Sequence, residues 1–342
     1  MKKYIDYIPG FAAALAIAAV SRWLESLLPI HLIGASVIAL FIGMIINYFH
    51  KPGKAMAAGI KFTSKKVLKF AIILLGASLS IGTIMHIGRL SLTVMVFTLL
   101  TCFGGGYFIG KALGLNWKLS NLISAGTGIC GGSAIAAIAP VIDAEDVDVA
   151  YAISATFLFD MAMIVLFPIM GRALGLSDMA YGLWAGTAVN DTSSVVAAGY
   201  AFSEAAGDFA TMVKLTRTLS IIPTVLVFAL IQLRIKRREA LARGESSDAK
   251  MEVNFLKLFP WFILGFLVMA GLNSAGLFSP QLSAAAKSLS KFLMVAALAA
   301  IGLNTSFKDM KKAGIQPMIH GFIISALVVI VAIAVEYAIG LV

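Results

Sequence analysis

Apolar runs of membrane-spanning length, succeeding one another from Ile8 to Leu341, constrain this chain more than any other feature. A helix crosses the hydrocarbon core with about 20 consecutive apolar residues. Backbone polar groups at that depth must be satisfied inside the protein, which favours helices. The runs are Ile8–Leu28, Leu32–Phe49, Val67–Met85, Leu92–Ala112, Leu119–Ile142, Val149–Met170, Met179–Ala201, Phe209–Leu233, Phe255–Leu272, Leu289–Ser306 and Gly314–Leu341. The expected fold is an all-α polytopic membrane protein of about 11 transmembrane helices, a single transmembrane domain over 1–342. Composition agrees: 60% of residues are hydrophobic and 13% charged, against about 25% charged in soluble domains.

The formal charge of +10 does not indicate nucleic acid, because the basic residues lie in short breaks between apolar runs, as in cytoplasmic loops. With the N-terminus inside, the cytoplasmic breaks hold Lys51, Lys54, Lys61, Lys65 and Lys66, then Lys111 and Lys118, then Arg172, then Arg234 to Lys250, then Lys308, Lys311 and Lys312. The opposite breaks hold Asp143, Glu145, Asp146 and Asp148, then Glu204 and Asp208. This places the C-terminus outside. Residues 234–253 read as a solvated cytoplasmic connector. Met1-Lys2-Lys3 before the first run has the outline of a signal peptide, but the run is long enough to be a retained helix. Cys102 and Cys130 fall inside apolar runs, with no disulfide or metal-ligand pattern.

Two runs are interrupted. Leu183 to Ala198 carries Asn190, Asp191, Thr192, Ser193 and Ser194 in its middle, and an ionisable group at that depth should face a cavity or pathway. Ser124 to Ala137 echoes it: aligning Ala125-Gly126-Thr127 with Ala185-Gly186-Thr187 brings Ser133 onto Ser193. Interrupted helices of this kind form transporter binding sites. A helix broken in the bilayer presents free N–H donors and partial positive charge to an anion. Gly126, Gly128, Gly131 and Gly132 leave the backbone open, and Thr127, Ser133, Thr187, Thr192, Ser193 and Ser194 add hydroxyls. Small residues also serve close helix packing; the run Asn190 to Ser194 is too polar for packing alone. Both interrupted runs count as inside-to-outside. Either one is a re-entrant hairpin, or the two are parallel, or the count slips between them.

Asp160, Asp191, Lys214 and Arg217 lie well inside apolar runs. Lys214 and Arg217 share a helix face, and a guanidinium suits an oxyanion. Competing roles are an ion pair of Arg217 with Asp160 or Asp191, and outward snorkelling of Lys214. Asp191 or Asp160 could carry a coupling ion. Glu336 reads as interfacial, and His86 and His320 as bland. A second echo joins Lys69-Phe70 and residues 75–83 to Lys291-Phe292 and residues 297–305, in spans of opposite direction, as an inverted repeat requires. That would bring Asn304 and Thr305 toward the site.

The stretches Gly126 to Ala137, Gly186 to Ser194 and Lys214-Leu-Thr-Arg217 make the chain resemble the YeiH-type sulfate exporter family of bacterial inner-membrane proteins. That family is grouped with bile-acid/sodium symporter-like carriers. The resemblance implies a core of broken, crossing helices, built as an inverted repeat, and a panel domain that moves against it. The expected function is a secondary transporter exporting a small oxyanion such as sulfate, sulfite or a sulfonate, coupled to H+ or Na+. The candidate substrate-binding set includes Cys130, Lys214 and Arg217 with the glycine and hydroxyl residues above. No cofactor, metal or nucleic acid is expected, and a homodimer is compatible with the chain. Competing readings are sodium-coupled organic-anion uptake, a channel, and an intramembrane aspartyl hydrolase using Asp160 and Asp191.

Overall fold

The computed structural model describes residues 6–27, 34–242, 260–305 and 314–342. Among them every regular element is helical. The elements are α1 (Ile8–Leu27), α2 (Ala35–Phe49), α3 (Lys54–Phe62) running through a π-turn at Thr63–Val67 into α4 (Leu68–Gly76), and α5 (Ile81–Leu100) running through Thr101–Gly105 into α6 (Gly106–Ala112). Next come α7 (Trp117–Ala125) with a π-turn at Gly126–Cys130, α8 (Gly132–Ile138), α9 (Asp146–Ala173), α10 (Asp178–Ala188) and α11 (Thr192–Phe202). The chain ends with α12 (Glu204–Leu219), α13 (Ile221–Ala242), α14 (Trp261–Ser274), α15 (Pro280–Leu303) and α16 (Ile315–Ala338). Among the described residues, six stretches are long and apolar enough to cross a membrane: Ile8–Leu27, Ile81–Ala112, Asp146–Ala173, Glu204–Arg238, Pro280–Leu303 and Ile315–Ala338.

Caps fix where the chain re-enters helix. Asn116, Ser177, Ser203 and Ser279 each accept a backbone N–H from the first turn of α7, α10, α12 and α15, worth about 1 kcal/mol apiece. Packing then sorts the helices into two groups. α1 to α4 pack with α14 and α15, and α5 to α13 pack with α16. In the first group α2 and α15 touch backbone to backbone: a Cβ on Gly43 would collide with the Ala299 carbonyl, and one on Gly302 with the Leu40 carbonyl. Small residues permit that approach where lipid supplies no hydrophobic drive. The groups meet where α11 lies on α2 and α15, and also where α14 touches α5. Two ion pairs join them at that end, Lys287–Asp208 at 2.5 Å and Lys291–Glu204 at 2.7 Å.

Several expectations change. The run Leu119–Ile142 does not cross: Lys118 Nζ donates to the Asp143 carbonyl at 2.6 Å, so the segment leaves where it entered. The run Met179–Ala201 also turns back, for Ser203 Oγ donates to Asp178 at 2.6 Å and Tyr181 to the Ala198 carbonyl at 2.9 Å. Both interrupted runs are therefore hairpins, the alternative left open for one of them, and the count of about eleven is not met at these two segments. Asp143 pairs with Lys236 at 2.8 Å, and so shares an end with the basic residues it was expected to oppose. Arg172 donates to the carbonyls of Ala201 and Phe202, at the end that holds Glu204 and Asp208. The expected span Val67–Met85 contains the α4–α5 turn, because the helix already begins at Lys54. The connector 234–253 is helical to Ala242, and its remainder, with Glu245 to Asp248, lies outside the described residues.

Candidate functional site

The first hairpin, α7 with α8, opens at the end of the molecule that holds Lys236. The second, α10 with α11, opens at the end that holds Asp208. Their turns meet in the middle. A Cβ on Gly131 would lie 3.0 Å from the Asp191 side chain. Gly131 itself adopts φ +64°, ψ −136°, a conformation in which any side chain is strained, and this reverses the chain between the half-helices. The second hairpin breaks at Val189, Asn190 and Asp191, non-helical backbone between α10 and α11, with Val189 and Asp191 extended. The sequence echo has a structural meaning: Ser133 and Ser193 are each the second residue of the returning half-helix.

Each break exposes backbone groups that the neighbouring long helix satisfies. Asp160, in the middle of α9, accepts the N–H of Asn190 on one carboxylate oxygen at 2.9 Å and that of Asp191 on the other at 3.0 Å. Arg217, on α12, donates to the carbonyls of Gly128 at 2.6 Å, Thr127 at 2.5 Å and Val189 at 3.4 Å. Lys214 donates to the Val189 carbonyl at 2.9 Å. The signs match the chemistry: an acid meets the donors that start α11, and two cations meet the acceptors that end the entering half-helices. Asp160, Lys214 and Arg217 are all buried. Lys214 therefore does not snorkel, and the hydrogen-bond partners of Arg217 are carbonyls rather than Asp160 or Asp191.

Asp191 caps α11, accepting the Ser193 N–H at 2.8 Å and the Ser193 hydroxyl. Asn190 reaches α16 through Ser325 Oγ at 3.4 Å, and sits over the Thr156 carbonyl of α9 at 3.5 Å. Among the described residues, three side-chain atoms at the meeting point are buried with no hydrogen-bond partner: Thr127 Oγ1, Asn190 Oδ1 and Ser194 Oγ. Native interiors leave few such atoms, and each calls for an explanation. The accessible edge of the meeting point is Gly132, Ser133, Asp191 and Thr192.

Other expected site residues have packing roles. A Cβ on Gly126 would meet Ile135 and Thr156, one on Gly128 would meet Cys102, and one on Gly186 would meet Val213. Thr187 returns its hydroxyl to the Leu183 carbonyl at 2.7 Å. Cys130 is a buried free thiol. Trp184 packs on Phe167 and donates to the Val329 carbonyl at 2.9 Å. Thr305 lies beside Asn47, whose amide donates to its carbonyl, at the far end of α15 from Lys287. Sequence reasoning overlooked Val189, whose carbonyl is named by no side chain, and Ser325, a lone hydroxyl in an apolar run.

Residues 9–321 match the family model described as Conserved hypothetical protein 698. A UPF0324 membrane protein of Clostridium tetani is 55% identical over 337 residues, 98% of either chain. The UPF0324 membrane protein SpyM3_0740 of Streptococcus pyogenes is 40% identical over 349 residues, covering both chains fully. A UPF0324 membrane protein of Streptococcus pneumoniae is 38% identical over 344 residues, 97% of each. Among solved structures, the sodium proton antiporter MjNhaP1 from Methanocaldococcus jannaschii aligns over 98% of this chain and 97% of its own at 14% identity. Its TM-score of 0.30 is too low to transfer a fold or an activity. With its succession of apolar helices and full-length relatives named membrane proteins, this chain is a multi-pass membrane protein belonging to the family described as Conserved hypothetical protein 698.

Proposed function

We propose that the chain is a secondary carrier of a small oxyanion, of the sulfate, sulfite or sulfonate type, moved outward across the bacterial inner membrane and coupled to H+ or Na+. One observation carries this reading. Two hairpins entering from opposite ends bring their broken tips together around buried polar atoms of Thr127, Asn190 and Ser194 that have no partner among the described residues. Irregular backbone at membrane depth is tolerated where it lines a solute site, and opposed interruptions are how alternating-access carriers hold solute at the midplane. The first turn of α11 supplies partial positive charge and the hydroxyls of Thr192 and Ser194 as donors, while Ser193 is held by Asp191. The backbone of Gly132 and the Ser133 hydroxyl extend the donor set at the accessible edge. Lys214 and Arg217 offset the two aspartates without spending their direct bonds on solute.

With residue 6 on the cytoplasmic side, α1, α2, α3–α4, α5–α6, α9, α12–α13, α14, α15 and α16 cross in alternating directions, and the hairpins enter from opposite faces. The C-terminus then lies outside. The two hairpins are the inverted pair, each followed by the long helix that braces the other's tip. The group of α1 to α4, α14 and α15 is the panel against which the hairpin group moves. Of the two aspartates at the hairpin tips, Asp191 is the coupling carboxylate, because both oxygens of Asp160 already hold backbone N–H groups. That occupancy also disfavours an aspartyl hydrolase, whose dyad needs two free carboxyls. A sodium-coupled organic-anion carrier is the second reading, favoured by the unpartnered Asn190 carbonyl, an acceptor suited to a cation.

The test is flux. Proteoliposomes loaded with radiolabelled sulfate should release it faster under an imposed pH or sodium gradient, and Asp191→Asn should abolish that acceleration. Release that ignores both gradients, or an unaffected Asp191→Asn, removes the coupling role.

A further inference from the structure

We propose that Glu336 is a proton-binding site of the transport cycle, at the outer end of the α16 face that reaches the tip of the second hairpin. The proposal deepens the carrier reading by naming the proton as a coupling ion, and it rests on that reading.

Glu336 is 0% exposed, and among the described residues neither carboxyl oxygen has a hydrogen-bond partner. It lies close to the end of a 24-residue helix, where a side chain of its length could reach polar surroundings; it is turned inward instead. A structural acid that tied α16 to its neighbours would bond to one of them. An ionised carboxylate buried without a donor is costly, so in this conformation the group carries its proton.

Its position links it to the site. Ser325, Val329 and Glu336 lie close to one face of α16, since eleven residues return to nearly the same angle at 3.6 per turn. Ser325 lies against the Asn190 amide at 3.4 Å, and the Val329 carbonyl receives the Trp184 indole at 2.9 Å. Glu336 is thus about 16 Å along the helix from the tip, on the face that packs against the second hairpin. An opening of that hairpin against α16, within the hairpin group, changes what surrounds the carboxyl. Release then returns one proton to solution and leaves one negative charge on Glu336; rebinding reverses both.

The ionisable groups at this end of the helices packed on α16 are accounted for otherwise. His86 and Arg89 of α5 are exposed. Arg172 of α9 donates to the carbonyls of Ala201 and Phe202. Asp178 of α10 accepts from Ser203, and Tyr181 donates to the Ala198 carbonyl. None of them is bonded to Glu336. Deeper on the same helices, Asp160 is held by the tip amides, and His320 of α16 faces Ser120 at 3.4 Å.

The experiment uses the purified full-length chain. Infrared difference spectra between neutral and strongly alkaline pH, taken without sulfate, should show loss of a protonated-carboxyl carbonyl band. Glu336→Gln should remove that band, and Glu336→Asp, which retains a carboxyl, should shift it. In sulfate proteoliposomes under about one pH unit of gradient, each coupled proton supports about tenfold accumulation. Glu336→Gln should lose that tenfold while keeping sulfate–sulfate exchange. A band unchanged in Glu336→Gln, or gradient-driven accumulation equal to wild type, overturns the proposal. Absence of sulfate exchange in the wild type would refute the oxyanion reading instead, and the infrared result would still decide whether Glu336 holds a proton.

Discussion

Asp160→Ala removes the acceptor that holds the tip of the second hairpin. Two backbone N–H groups, of Asn190 and Asp191, bond to its two oxygens at 2.9 and 3.0 Å, and Asp160 is 1% exposed. A buried donor left without a partner costs about 1–3 kcal/mol, so two cost about 2–6 kcal/mol, a large share of a typical stability of about 5–15 kcal/mol. Asp160→Asn keeps one acceptor oxygen but turns an amide N–H toward the other backbone donor, so it should fall between wild type and alanine. Hydrogen exchange of peptides spanning Val189 to Ser194 reads the effect locally. At about 1.4 kcal/mol per factor of ten, Asp160→Ala should speed those amides by about 30-fold or more, with a lowered melting temperature in detergent. Exchange within about threefold of wild type, a difference under 1 kcal/mol, would refute the claim that this carboxylate holds the tip.

Further outcomes follow from the same geometry. Arg217→Met strips the carbonyls of Thr127 and Gly128 of their donor and should cost about 3 kcal/mol or more, read as a lower melting temperature; Arg217→Lys should recover part of it. Gly131→Ala places a Cβ 3.0 Å from Asp191 at φ +64°, so sulfate-dependent thermal stabilisation should be lost or weakened at least tenfold. In a chain carrying Cys102→Ser and Cys130→Ser, an impermeant maleimide should label Ser203→Cys in intact cells and Asp143→Cys only after permeabilisation; labelling of both from one side would refute opposed hairpins. The side-chain bond from Lys236 holds Asp143 below the usual carboxylate range, helped by Gln232 and opposed by partial burial. A depressed carboxylate stabilises above its unfolded value and loses that contribution as pH falls through its folded one. Asp143→Asn should therefore reduce stability at neutral pH by less than about 1 kcal/mol for so exposed a pair, read as a slightly lower melting temperature, and the difference should vanish in acid.

The apolar runs revealed most of the helices because lipid-length hydrophobicity is a strong signal, and the polar run Asn190 to Ser194 located the second break. Crossing and hairpin were not distinguishable. A hairpin of two half-helices has the length and hydropathy of one span, and only contacts between residues far apart in the chain, such as Lys118 with Asp143 and Ser203 with Asp178, separate them. The same pairing misled the loop charges, since Asp143 is acidic because it meets Lys236, not because it faces the other side. The start of α3 at Lys54 was hidden by lysines and small residues too polar to count as a span. Lys214 and Arg217 were legible as buried charges but not as carbonyl donors, because their partners are backbone atoms. Glu336 looked interfacial by position; its inward orientation is set by packing around α16.

The account stands most directly on where an oxyanion binds. Crystals of the full-length chain soaked in selenate, an anomalously scattering analogue of sulfate, should show a peak between the first turn of α11 and the Gly132–Ser133 backbone, within hydrogen-bond reach of Ser194 or Thr127, and lost in Gly131→Ala. Selenate found only on surface lysines, with the two tips closed on each other, would contradict it.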